Sequence, residues 1–144
     1  MFEHALSRLA HYFPRHASVQ LRELYLTFGI FDLAVSAVSL FEPIYLYKLG
    51  YSIPHILFFY LAIYLLYFAI LPLGAKFSLR YGYAKGIFSS SFFSISYYLA
   101  LIGLPYSPFL FFVAIPALAL QKMLYWPSFH AEFARYGDDH EGAR

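Results

Sequence analysis

Three ionisable side chains stand inside segments that are otherwise apolar. Asp32 and Glu42 lie in FGIFDLAVSAVSLFEP, and Lys122 lies in ALQKMLYWPSFH. A charge facing hydrocarbon costs at least about 2.5 kcal/mol, so such residues face protein or water and mark proton relays, ion pairs or solute sites. Asp32, Ser36, Ser39 and Pro43 recur at spacings of four, three and four, which is one helical face, and Gly29 extends it by a turn. Ile30, Leu33, Val35, Val38 and Leu40 fill the other faces. Asp32 is therefore expected to point into a helix bundle. It would serve there as a proton-coupling or solute-binding acid, or as a protonated structural one.

Glu42 falls about one and a half turns from the outer end of its segment, where an interfacial or vestibule position competes with a core role. Lys122 has two open readings. It snorkels to the inner headgroups, or it pairs with Asp32 in a low-dielectric site. Asp32, Glu42 and Lys122 are thus the candidates for transport or proton coupling.

Other chemistry has little to stand on. The chain has no cysteine, so disulfides, thiolate metal sites and cysteine nucleophiles are excluded. His4, His11, His16, His55, His130 and His140 are scattered, no HExxH occurs, and His130 and Glu132 are two apart and do not share a helical face. There is no glycine-rich phosphate loop and no GxSxG. We expect no enzymatic activity, no cofactor and no metal.

The elements that carry these residues follow from composition. Of 144 residues, 61% are hydrophobic and only 12% charged, more apolar surface than a water-soluble domain of this size can bury. The formal net charge of +2 and the dispersed bases give no nucleic-acid stripe. The N-terminus does not resemble a signal peptide. Runs at about 25–47, 54–75, 86–104 and 108–128 have bilayer length. They lack the alternation of barrel strands, so each is predicted to be a helix. The expected fold class is an all-α membrane protein with a four-helix transmembrane bundle over 25–128. A cytoplasmic amphipathic segment over 1–24 precedes it, and a cytoplasmic segment over 129–144 follows.

The connections KLGYSIP, KFSLRYGYAKG and PYSP are short, so consecutive helices are expected to be antiparallel neighbours. Arg8, Arg15, Arg22, Lys76, Arg80, Lys85, Arg135 and Arg144 fall on one side, and only Lys48 falls in the opposite loops. The positive-inside rule then places both termini in the cytoplasm of a multi-pass protein of the plasma or inner membrane. Phe2, Leu6, Leu9 and Phe13 recur at helical spacing, which suits a short helix on the inner leaflet or a frayed tail. In SSSFFSIS, Ser90, Ser94 and Tyr97 share one face and Ser89, Phe93 and Ser96 another, a pattern read as close helix packing. Tyr125, Trp126 and Pro127 read as an interfacial anchor, and Pro116 should weaken the fourth helix near its middle.

LFEPIYLYKLGYS, GAKFSLRYGYAKG and LYWPSFHAEFARYGDDHEGAR, in this order, resemble parts of the major facilitator superfamily of secondary transporters. The first is similar to the end of a first helix and its outer loop. The second is similar to the cytoplasmic loop Gly-x-x-x-Asp-Arg-x-Gly-x-Arg/Lys, with Arg80 and Gly82 matching Arg-x-Gly and Lys85 a trailing base one residue late. Leu79 holds the acid's place and Ala75 the leading glycine's. The third is similar to the inner end of a fourth helix and the segment before a fifth. The resemblance covers about 23–142 and implies helices 1–4 of an N-terminal half, hence a truncated or partial unit of a transporter of small solutes.

Two alternatives stand beside it. One is a small four-helix multidrug-type, proton-coupled exporter acting as an oligomer. The other is a non-transporting membrane assembly protein. The partners expected are the lipid bilayer, an unspecified small solute, and either further copies or a protein supplying more helices, with no nucleic acid.

Overall fold

The computed structural model describes residues 19–141, which form four helices: α1 (Val19–Lys48), α2 (Ile53–Tyr81), α3 (Tyr83–Gly103) and α4 (Leu110–Glu141). The stripe from Phe2 to Phe13 lies outside the described residues. Each helix holds a stretch long and apolar enough to cross a membrane, at Leu26–Lys48, Ile53–Tyr81, Tyr83–Gly103 and Leu110–Ala131. Backbone groups within hydrocarbon have no water to bond, and a continuous helix satisfies them internally. The described residues therefore form an all-helical, multi-pass membrane protein. The chain divides after Ile44 into two compact units, the first containing most of α1 and the second beginning at Tyr45.

In the second unit α4 is central. It packs on both α3 and α2, which touch each other much less. Its sequence suits that place. Ala114, Ala117, Gln121, Leu124 and Ser128, spaced by three and four, are all buried, and so are Phe111, Ala119 and Met123 on a second side. Lipid tails are as apolar as leucine, so contact between such helices relies on small residues that let backbones approach. Gly74 of α2 lies so close to α4 that an added Cβ would land on the carbonyl oxygen of Met123. Pro127, four residues on, has no N–H to give that carbonyl, so the Gly74 Cα–H fills part of the gap.

The core around the N-terminal half of α2 and the start of α4 is aromatic. Phe111 of α4 stacks on Tyr51 at 5.1 Å and meets Phe59 of α2 at 4.7 Å between centroids. Leu46, Ile63, Tyr97 and Leu101 complete this core. The Tyr45 hydroxyl donates to the Leu101 carbonyl at 3.0 Å, near the C-terminal end of α3 where helical carbonyls lose their partners.

The connection between α2 and α3 differs from expectation. A basic loop was expected from Lys76 to Gly86, but α2 continues to Tyr81 and α3 begins at Tyr83. Only Gly82 interrupts the helices. Its φ of 95° is open to glycine, and its N–H caps α2 on the Ser78 carbonyl at 2.9 Å. No residue from Lys76 to Tyr81 breaks a helix, and their charges suit a helix end that emerges into the headgroups. At the other end of the chain, α4 runs through Pro116 and Pro127 and on past Ser128 to Glu141.

Candidate functional site

The two acids of α1 do not form one site. Ten residues of helix separate them by about 15 Å along the axis and place them on different faces. Glu42 is buried, 7% exposed. Asp32 is exposed on its own unit, and so are Gly29, Ser36 and Ser39 of its stripe.

Lys122 is half-buried, with its ammonium 5.4 Å from the ring centre of Tyr64 on α2. Tyr64 lies about 16 Å along the axis from the first residue of α2, inside its candidate membrane span. The side chain thus crosses from α4 to an aromatic ring on the facing side of α2. A cation over a ring gains about 0.5–2 kcal/mol, more as water is removed.

Below that contact, α2 and α4 leave a groove of about 300 Å³ lined by Tyr67, Leu71, Trp126, Pro127 and His130. Trp126 and His130 stack at 5.6 Å and 22°. On α4, Lys122, Trp126 and His130 follow one another every four residues; on α2, Tyr64, Tyr67 and Leu71 follow at three and four. The groove is therefore in register with the lysine. The spacing of Lys122, Trp126 and His130 was readable in the sequence, but the opposing tyrosines were not, since nothing there pairs α2 with α4.

Toward the C-terminal end of α2 the helices are drawn tight. Ser78 Oγ of α2 donates to the Gly74 carbonyl at 2.9 Å and lies 2.7 Å from Ser128 Oγ of α4. Gly86 of α3 faces the same serine so closely that a Cβ there would occupy its hydroxyl. On the third helix Ser90 and Tyr97 are buried, with Ser90 Oγ donating to the Ile87 carbonyl at 2.6 Å. Both serve packing.

Arg80, Gly82 and Lys85 have separate surroundings. Gly82 makes the helix–helix corner, the Arg80 guanidinium lies over Tyr81 at 5.5 Å, and Lys85 is exposed on the first turn of α3. Among the described residues no group of three or more His, Asp or Glu is placed to hold a metal ion. No protein-family model, no curated protein and no solved structure matches the chain.

Proposed function

We propose that the chain is a secondary-transport unit of the major facilitator type, moving a small solute across the cell membrane, with its basic helix ends in the cytoplasm. The observation that carries this reading is Lys122, a half-buried cation within the candidate span of α4 whose ammonium lies 5.4 Å from the Tyr64 ring centre on α2. Secondary transporters place their substrate and ion sites near the midplane, between helices. An ionisable residue within a membrane span is by default a candidate for a solute or coupling site. Glu42, buried on α1, supplies a second intramembrane ionisable group, and Asp32 a third. The Asp32 stripe needs cover in the bilayer, from the rest of this chain, from other copies or from a partner.

The test is flux into liposomes that carry the purified protein and an internal pH dye, across a panel of small anions, cations and neutral solutes. We expect at least one solute to move. Lys122→Met should remove most of that flux and Lys122→Arg should retain a part. Liposomes no leakier than empty ones for every solute, or flux indifferent to Lys122→Met, would count against the proposal.

A further inference from the structure

The α2–α4 groove carries hydrogen-bonding groups that the fold leaves unused. Tyr67 and Leu71 line it from α2, and Trp126, Pro127 and His130 from α4, around about 300 Å³. All five lie within the candidate spans Ile53–Tyr81 and Leu110–Ala131, so the groove suits a ligand that dissolves in lipid. Its walls are mostly rings. Trp126 and His130 stack at 5.6 Å and 22°. Tyr125 and Phe129 meet Trp126 edge-on, at 81° and 75°, and help to hold its plane. Flat faces of this kind favour a flat, aromatic ligand, and Leu71 and Pro127 add apolar surface.

The polar groups narrow the ligand further. The Tyr67 hydroxyl, Trp126 Nε1–H and the His130 ring can each donate a hydrogen bond. Among the described residues, none of these three side chains has a hydrogen-bond partner. A donor left unmatched in an apolar setting is costly, so acceptor oxygens are the complement. No aspartate, glutamate, lysine or arginine lines the groove, so no fixed charge there offsets the desolvation of an ionised ligand. A flat, neutral, lipid-soluble ring that bears acceptor oxygens meets all of these conditions. Quinones are that chemistry, with two carbonyl oxygens on an uncharged ring. We propose that this groove binds a quinone, its ring among the aromatic side chains and its carbonyl oxygens accepting from Tyr67 and His130. The volume suits the ring, and any attached chain would run on into lipid. The site uses neither Lys122 nor solute flux, so it is independent of the transport reading.

Trp126 is the only tryptophan in the chain, and quinones quench indole fluorescence on contact, so the groove carries its own reporter. The full chain would be placed in phosphatidylcholine nanodiscs and titrated with the naphthoquinone menadione, with methylnaphthalene as the matched hydrocarbon that lacks carbonyls. We expect the intensity to fall saturably while the lifetime of the remaining emission holds, which is the signature of a bound complex. Quinone dissolved in the bilayer without a site would shorten the lifetime instead. Methylnaphthalene in excess should not displace the quinone. Tyr67→Phe and His130→Phe keep a ring and remove the hydrogen bond. Each should weaken binding about fivefold, the scale of one hydrogen bond, and weakening by either upholds the site. Tyr106→Phe, between α3 and α4 and outside the groove, should leave binding unchanged. Quenching that only shortens the lifetime, displacement by methylnaphthalene, or binding indifferent to both Tyr67→Phe and His130→Phe overturns the proposal. So does binding that disappears when phosphatidylglycerol replaces phosphatidylcholine, which assigns the groove to a lipid headgroup.

Discussion

The hydroxyls of Ser128 and Ser78 share a hydrogen bond of 2.7 Å across the α2–α4 contact. Ser78 has one proton, and where it places this on the Gly74 carbonyl 2.9 Å away, Ser128 is the donor. Gly86 presses on the Ser128 hydroxyl from α3, so three helices meet at one buried atom.

That geometry separates two kinds of substitution. Ser128→Ala removes a hydrogen bond of a type that averages about 0.6 kcal/mol within membranes, so the effect should be small. Gly86→Val inserts atoms where the serine oxygen already sits and forces α3 away from α4. It should lower stability by about 2 kcal/mol or more, in the range of overpacked cores. Unfolding in mixed micelles, followed by helical circular dichroism, would rank the two. If Ser128→Ala proves the worse, the hydroxyl and not the close approach holds this end together.

Gly82 makes a second prediction. At φ 95° a side chain is strained whatever the space around it, and no atom stands near its absent Cβ. Gly82→Ala should therefore cost about 1–3 kcal/mol through backbone strain alone. Lys85→Ala, exposed and three residues on, should leave stability unchanged within about 0.5 kcal/mol. Thermal unfolding of both variants in one detergent would decide it. Equal midpoints would mean that the corner relaxes to another conformation.

The spans themselves were legible, because bilayer thickness sets a length that hydropathy reports directly. Their ends were not. Lys76 and Arg80 read as loop residues, yet α2 carries them on its last turns. Partners were harder still. In water, a buried stripe differs from an exposed one in polarity; in lipid both are apolar, so Phe92 and Leu99, exposed on α3, look no different in sequence from the buried Phe59 and Leu101. The course of Lys122 depends on Tyr64, a residue of another helix, and no spacing within α4 contains it. The serine pattern of α3 was readable because small hydroxyl residues mark close packing in either solvent.

Orientation is a third expected outcome. Reporter fusions at Ile53 and Tyr81, the two ends of α2, should read outside and inside respectively. Lys76 and Arg80 lie near the Tyr81 end, and the positive-inside rule holds such residues in the cytoplasm. Replacing Lys76, Arg80 and Lys85 with glutamine should weaken or mix the orientation. An outside signal at Tyr81 in the unaltered chain would reverse the assignment of both termini.

The last prediction concerns Asp32. Its stripe with Ser36 and Ser39 is polar and exposed on its own unit, yet it lies in a helix of bilayer-spanning length. Lipid is a poor neighbour for that carboxylate, so protein or water should meet it in the working membrane form. Ala34 is two residues from Ser36 and about 200° around the helix, nearly the opposite face. The chain has no cysteine, so Ser36→Cys and Ala34→Cys can be spin-labelled without preparing a background variant. In liposomes, the label at position 34 should collide readily with oxygen, which concentrates in lipid. The label at position 36 should be shielded from oxygen, or should respond to a water-soluble nickel chelate. Adding Asp32→Leu should raise oxygen collisions at 36, because an apolar stripe no longer needs cover. Equal and high oxygen collisions at both positions in the unaltered background would show the stripe facing lipid, and Asp32 would then lose its claim to a coupling role.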